Sequence, residues 1–269
     1  MHARARSMAV PVLPKALHGT CPVCGKSTRF LGFKENLRES GKCLHCRSIN
    51  RQRQIAHVVR EQHGLPSLGN FSFQPGFSIY NLESKGPLHR ALAKRCDYAC
   101  SEYFGAECKP GQVVRGVRHE DLQSLSFPDA SFDLVLSSEV FEHFPEPYRG
   151  HCEIFRVLRP GGSHVFTVPY APGSDADDVR ATLINGRIHY HAEKLYHDNP
   201  VRLMDRLLGW RTVGKMEGIL VWRIFGREML ARLAEIGFEV RVHELAVPDE
   251  GIVGEGAIVF VASKRRCDR

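Results

Sequence analysis

Two short apolar runs, Phe132–Ser137 and Ser163–Val168, flank a stretch in which apolar residues return at helical spacing. Each run has the length and composition of a strand buried on both faces. Between them, Glu139–Phe144 predicts a helical turn, and Tyr148–Leu158 predicts a helix with its apolar face at Ile154, Phe155 and Leu158. Arg159-Pro160-Gly161-Gly162 ends that helix by removing a donor and relaxing the backbone. Strand, helix, sharp turn and strand in this order predict a right-handed crossover in a parallel sheet. In such sheets ligands sit beyond the carboxyl ends of the strands. That edge carries Ser137, Ser138, Glu139, Glu142 and His143.

The same alternation extends to both sides. Phe77–Leu82 reads as a first strand, followed by the turn Glu83-Ser84-Lys85-Gly86-Pro87 and a helix through Leu88, Leu92 and Arg95. Tyr98–Glu102 is a second strand, and a third includes Val113, Val114 and Val117. Gly226–Ile236 is a helix closed by Gly237, and Glu239–Leu245 and Ala257–Ala262 are the last two strands. Upstream, Ile49–Gln62 has helical spacing at Ile55, Val58 and Val59 and reads as a connecting helix. Tyr170–Val221 interrupts the pattern, and long insertions of this kind form lids or binding surfaces.

The text FPDASFDLVLSSEVFEHF, followed by EIFRVLRPGG and FTVP, resembles the class I S-adenosylmethionine-dependent methyltransferases of the type 11 subgroup. The resemblance covers roughly residues 74–264, a size ordinary for one α/β domain. It implies a Rossmann-like doubly wound seven-stranded sheet in which the last two strands form an antiparallel edge pair. It also implies a cofactor site built from Asn81, Glu83 and Gly86, with Ser137 and Glu139 at the neighbouring strand end. A Gly-x-Gly-x-Gly turn belongs to the pattern, and here only Gly86 is present. S-adenosylmethionine has no pyrophosphate for a backbone to embrace, so one glycine beside a helix start can suffice. Glu102 stands sixteen residues beyond Gly86, near the offset of a ribose-binding acid, with a strand-end surface acid as the alternative. By resemblance, Asp121-Leu122 meets the adenine; the alternative for Asp121 is to cap its own turn.

Cys21-Pro22-Val23-Cys24 and Cys43-Leu44-His45-Cys46 are two Cys-x-x-Cys knuckles separated by eighteen residues, the spacing of a four-cysteine zinc ribbon. Four thiolates close a tetrahedral sphere, which makes Zn2+ structural here. The segment is too small to fold on its apolar residues alone, so metal supplies the missing free energy. Iron, or a set of ordinary buried cysteines, is the alternative, and His45 faces solvent. Cys96, Cys100, Cys108, Cys152 and Cys267 show no metal spacing.

The net charge of +7 is concentrated near the N-terminus, where ten Lys or Arg between Lys15 and Glu61 face three Glu. This invites an anionic partner, with Arg51 and Arg53 as phosphate contacts, or else is a solvated surface. No apolar run reaches the length of a membrane span, and the N-terminus lacks the apolar stretch of a secretory signal. With clustered, odd-numbered cysteines, a cytoplasmic protein without membrane partners is expected. The chain divides into a flexible basic arm (1–14), a ribbon with its helix (15–63) and a methyltransferase domain (64–269) whose acceptor-side insertion spans 170–222. His143, His197 and Asp198 are the candidate catalytic groups for deprotonating an acceptor, and His189 with His191 makes a second metal pair conceivable. The reading is methyl transfer to a hydroxyl or amine of a small molecule or glycan. The alternatives are an RNA base methyltransferase that uses the ribbon, and a non-catalytic S-adenosylmethionine-binding protein. The sequence leaves the oligomeric state unassigned.

Overall fold

Successive residues of a strand point to opposite faces, and here the central strands are apolar on both. In β8 (Phe132–Ser138), Leu134 and Leu136 join one core while Val135 joins the other. Such strands demand a layer of helices on each side. The computed structural model describes residues 13–70, 73–95, 97–197, 218–254 and 256–266.

The chain begins with a three-stranded antiparallel sheet, β1 (Ala16–Thr20), β2 (Ser27–Leu31) and β3 (Lys42–Cys43), and continues into α1 (Asn50–His63). Gly64, left-handed at φ 62°, closes α1. The central sheet then forms from β4 (Ser78–Asn81), β5 (Asp97–Cys100), β8, β9 (Leu158–Thr167), β16 (Phe238–Glu244) and β17 (Ile258–Lys264). Its order is β16-β17-β9-β8-β4-β5, with β17 antiparallel to both of its neighbours and the other pairings parallel. This is a doubly wound Rossmann-like sheet with its switch point between β4 and β8.

One expected strand is missing from that sheet. The run holding Val113, Val114 and Val117 folds back as a separate hairpin of β6 (Val113–Val114) and β7 (Val117–Arg118). Arg115 and Gly116, with φ of 53° and 78°, make the two-residue turn that reverses the chain. Among the described residues, only a parallel bridge between Glu102 and His119 continues past β5, and the sheet has six strands where seven were expected.

The helices α2 (Gly86–Leu92) and α1 cover one face through Leu88, Leu92, Ile55, Val58 and Val59. The helices α3 (Pro147–Val157) and α4 (Glu228–Ile236) cover the other through Ile154, Val157, Met229 and Leu233. Beyond linking, α1 packs on the sheet, and Val23 of the first knuckle and Phe30 of β2 share one core with Val165 and Val261. The insertion adds short antiparallel pairs: β10 (Asp178–Val179) with β15 (Arg223–Ile224), β11 (Ala181–Ile184) with β12 (Arg187–Tyr190), and β13 (Tyr196–His197) with β14 (Ile219–Leu220). Among the described residues no helix is long and apolar enough to cross a membrane.

Candidate functional site

The four knuckle cysteines converge. Their sulfurs all lie within 4.8 Å of one another, with Cys21–Cys46 at 3.7 Å and Cys24–Cys43 at 4.0 Å. A tetrahedron of thiolates about 2.3 Å from zinc has edges of about 3.8 Å, so the donor set fits that ion. The knuckles close through Gly25 N–H to the Cys21 carbonyl (2.7 Å) and Arg47 N–H to the Cys43 carbonyl (3.0 Å), with Gly25 and Arg47 both left-handed. Ser48 Oγ lies 3.4 Å and 3.2 Å from the Cys21 and Cys46 sulfurs. Burial and the neighbouring sulfurs push the Cys24 thiol up to about 11, a penalty that a divalent cation removes. A cavity of about 260 Å³ beside Cys24 and Cys46 is lined by Lys26, Arg90 and Arg95, whose charge opposes that of the thiolates. Arg53 is fully buried under the cluster, donating to the carbonyls of Ser48 and Gly251 (2.8 Å), so it is no surface contact for a phosphate.

A second constellation occupies the carboxyl edge of the sheet at the switch point. Asn81 ends β4 and donates to the Glu83 carbonyl and to Tyr98 Oη, both at 2.9 Å. Glu102, just past β5, accepts at Oε1 from Ser84 N–H (3.0 Å) and Ser84 Oγ (2.8 Å), which ties the second strand to the turn after the first. Gly86 turns left-handed at φ 89°, and Glu83 Oε2 lies 4.0 Å from where a Cβ on it would stand. That Glu83 oxygen is buried, without a hydrogen-bond partner among the described residues. Burial, reinforced by Glu102 and Glu39 and opposed by Arg51, pushes the Glu83 carboxyl up to about 7. Glu139 follows β8 at φ 54° and pairs with Arg38 at 2.5 Å, and Arg38 also reaches the Val168 carbonyl at 3.4 Å. Arg51 in the first turn of α1 donates to Ser138 Oγ and grips Glu39 through Nε (2.6 Å) and Nη2 (3.0 Å).

The other expected residues divide. Asp121 is half-buried and accepts from Gln123 N–H at 2.9 Å, the self-capping turn, while Leu122 puts its side chain in the core. Ser137 is buried with Oγ 2.8 Å from His164 Nε2, so the neighbouring Ser138 presents the hydroxyl at the edge. His143 directs Nδ1 at the Leu220 carbonyl (2.9 Å), which leaves Nε2 as the basic nitrogen, 3.5 Å from Glu142 Oε1. Glu142 is fully buried, and burial with Glu139 nearby raises its carboxyl well above the usual range. His197 pairs its backbone with Ile219 in β13–β14, the pair whose Leu220 carbonyl accepts from His143. Asp198 lies outside the described residues. His191 Nε2 meets Thr182 Oγ1 at 2.9 Å, and among the described residues only the four cysteines gather as metal ligands. Arg38, Glu39, Arg51, Ser84 and Ser138 were not expected as a group. Arg38 and Arg51 are 101 and 87 residues from the side chains they meet, and no local pattern signals that pairing.

Residues 85–166 match the family model of a methyltransferase domain. A probable S-adenosylmethionine-dependent methyltransferase of Mycolicibacterium smegmatis is 41% identical over 63 residues, 22% of this chain and 24% of that protein. The 2-methyl-6-phytyl-1,4-hydroquinone methyltransferase of Synechocystis is 41% identical over 120 residues, 40% of this chain and 35% of that protein. Matches of this kind span about a quarter to a third of the curated relatives' length. A 1,6-didemethyltoxoflavin-N1-methyltransferase of Burkholderia thailandensis, solved with its substrate and S-adenosylhomocysteine, superposes at 15% identity and TM-score 0.44, covering 80% of this chain and 78% of that one.

Proposed function

We propose that this chain is an S-adenosylmethionine-dependent methyltransferase acting on a hydroxyl or amine of a small molecule or glycan, with a structural zinc in its N-terminal ribbon. The observation that carries the reading is the convergence of Glu83, Glu102, Ser138 and Glu139 beyond β4, β5 and β8, at the switch point of a sheet whose residues 85–166 match a methyltransferase domain. S-adenosylmethionine, when bound, supplies an electrophilic methyl group on a sulfonium. Glu102 offers Oε2 to the ribose hydroxyls while Oε1 holds Ser84 in place. The buried Glu83 oxygen, which has no hydrogen-bond partner among the described residues, fits the ammonium of the methionine arm. Asp121 keeps one oxygen for its own turn and the other for the adenine amine. His143, its Nδ1 fixed on Leu220, holds a basic nitrogen at the acceptor side and takes a proton from a hydroxyl.

The RNA alternative has less support, because three arginines of the ribbon segment are engaged by acids within the chain. Arg38 pairs with Glu139, Arg51 with Glu39, and Arg60 with Glu250 at 2.7 Å. The non-catalytic reading rests on the single glycine of the turn alone. Two experiments test the proposal. Calorimetry with S-adenosylhomocysteine should give binding, and cell extract incubated with protein and isotope-labelled methyl donor should yield a labelled product by mass spectrometry. No binding by the wild-type chain would sink the enzyme reading, and a label found in RNA would replace the acceptor class.

A further inference from the structure

We propose that Arg51 is the residue that takes the carboxylate of the cofactor's methionine arm, exchanging it for Glu39, so that a contact within the zinc-ribbon segment competes with cofactor binding. This rests on the methyltransferase reading above and deepens it.

A zwitterionic arm needs donors for its carboxylate as well as acceptors for its ammonium, and the turn after β4 is poor in donors. Pro87 has no N–H, and α2 is only seven residues long. Ser84 has given both its N–H and its hydroxyl to Glu102, and Asn81 has given its amide hydrogens to Glu83 and Tyr98. Glu102 and Asp121 at the edge repel a further carboxylate. Arg51 lies in the first turn of α1, beside the turn after β4. Its neighbour Gln52 places Nε2 3.7 Å from the position of a Cβ on Gly86, while Arg51 itself reaches Ser138 at the end of β8. It therefore spans the switch point, with a side chain only 11% exposed.

Glu39 already displays the geometry that the arm requires. It sits on the short helix Leu37–Glu39 between the knuckles and meets two adjacent nitrogens of the guanidinium, the fork arrangement that carboxylates favour. Its side chain is 42% exposed, so releasing it to water costs little. Arg38, by contrast, is committed to Glu139 and the Val168 carbonyl. Arg51 is thus a binding residue with an internal competitor, and the two partners should respond to mutation in opposite directions.

Calorimetry on the full chain with two probes tests this: S-adenosylhomocysteine, and 5′-methylthioadenosine, which lacks the amino-acid arm. Arg51→Gln should weaken S-adenosylhomocysteine about tenfold or more and change 5′-methylthioadenosine by no more than about twofold. Arg51→Lys should fall between Arg51→Gln and wild type, because the charge remains without the fork. Glu39→Gln should tighten S-adenosylhomocysteine severalfold with the second probe unmoved, and Lys85→Gln should leave both unchanged. Melting temperature and zinc content of each variant report whether the fold is intact. The proposal is overturned if Arg51→Gln affects both probes equally or neither, if Glu39→Gln weakens S-adenosylhomocysteine, or if Lys85→Gln carries the loss. Binding of neither probe by the wild-type chain would overturn the methyltransferase reading along with it.

Discussion

Replacing Glu102 gives the most direct measure of whether the switch point is a nucleoside site. One of its oxygens holds Ser84 through two hydrogen bonds of 3.0 Å and 2.8 Å, and the other is assigned to the ribose. Hydrogen bonds to a charged acceptor contribute about 1.5–3 kcal/mol each. At about 1.4 kcal/mol per factor of ten, loss of the ribose contact should weaken binding roughly tenfold to a hundredfold. Two variants separate the ribose contact from the turn. Glu102→Gln retains an amide oxygen for Ser84 and loses the charge, so it should weaken S-adenosylhomocysteine about tenfold with little change in melting temperature. Glu102→Ala should lose more, because Ser84 N–H is then left without its acceptor and the turn around Gly86 loosens. Isothermal titration calorimetry with S-adenosylhomocysteine, supported by thermal melts of the ligand-free proteins, reads both quantities. If all three proteins bound with equal affinity, the ribose assignment would be refuted. If the loss tracked only the fall in melting temperature, Glu102 would be a strut for the turn and no more.

Three further outcomes are expected. Cys43→Ser should remove about one zinc per chain and lower the melting temperature, read by metal analysis and calorimetry; a metal-free wild-type chain that stays folded would refute the ribbon site. The Glu83 carboxyl is held near 7 instead of its ordinary 4.5, so the folded state binds the proton more tightly than the unfolded one. Stability from this group is complete below about 4.5 and is lost as pH rises through about 7. Melts of Glu83→Gln across that window should therefore lack a decline that the wild type shows, and identical slopes would contradict the assignment. His143→Ala should lower turnover of a hydroxyl acceptor by about 10²–10⁴ while S-adenosylhomocysteine affinity is unchanged, and full turnover would remove His143 as the base.

What could be read from sequence was whatever local patterning dictates. The central strands were legible because uninterrupted apolar runs of that length have few other uses, and α1 because Ile55, Val58 and Val59 recur at helical spacing. The knuckle cysteines were legible because two intervening residues suit one metal vertex pair. The third strand was misread because Val113, Val114 and Val117 have strand composition, yet Arg115-Gly116 between them is a turn signal that outweighs it. Ser137 and Ser138 illustrate the limit of register. A one-residue step in a strand moves a side chain to the opposite face, so one serine meets His164 in the core and its neighbour meets Arg51 at the edge. Leu122 likewise belongs to the core by its side chain, with only its backbone near the edge.

The contacts that sequence could not supply are those between the ribbon segment and the sheet, and they change what a structural metal means here. The helix carrying Arg38 and Glu39 lies between the two knuckles, so its position depends on the same closure that gathers the four sulfurs. From that position Arg38 neutralises Glu139, a non-glycine residue held at φ 54° directly after β8, and Glu39 engages Arg51 across the switch point. Left-handed backbone at a residue of this kind persists only where its surroundings hold it. Rigid support behind the groups that touch a ligand is what keeps a site in its productive geometry. A zinc held by the four thiolates would be closed to chemistry, yet it would act on this edge of the sheet through two side chains of the loop it braces. The basic charge of the N-terminal segment is, to that extent, matched inside the molecule to the acidic edge of the sheet.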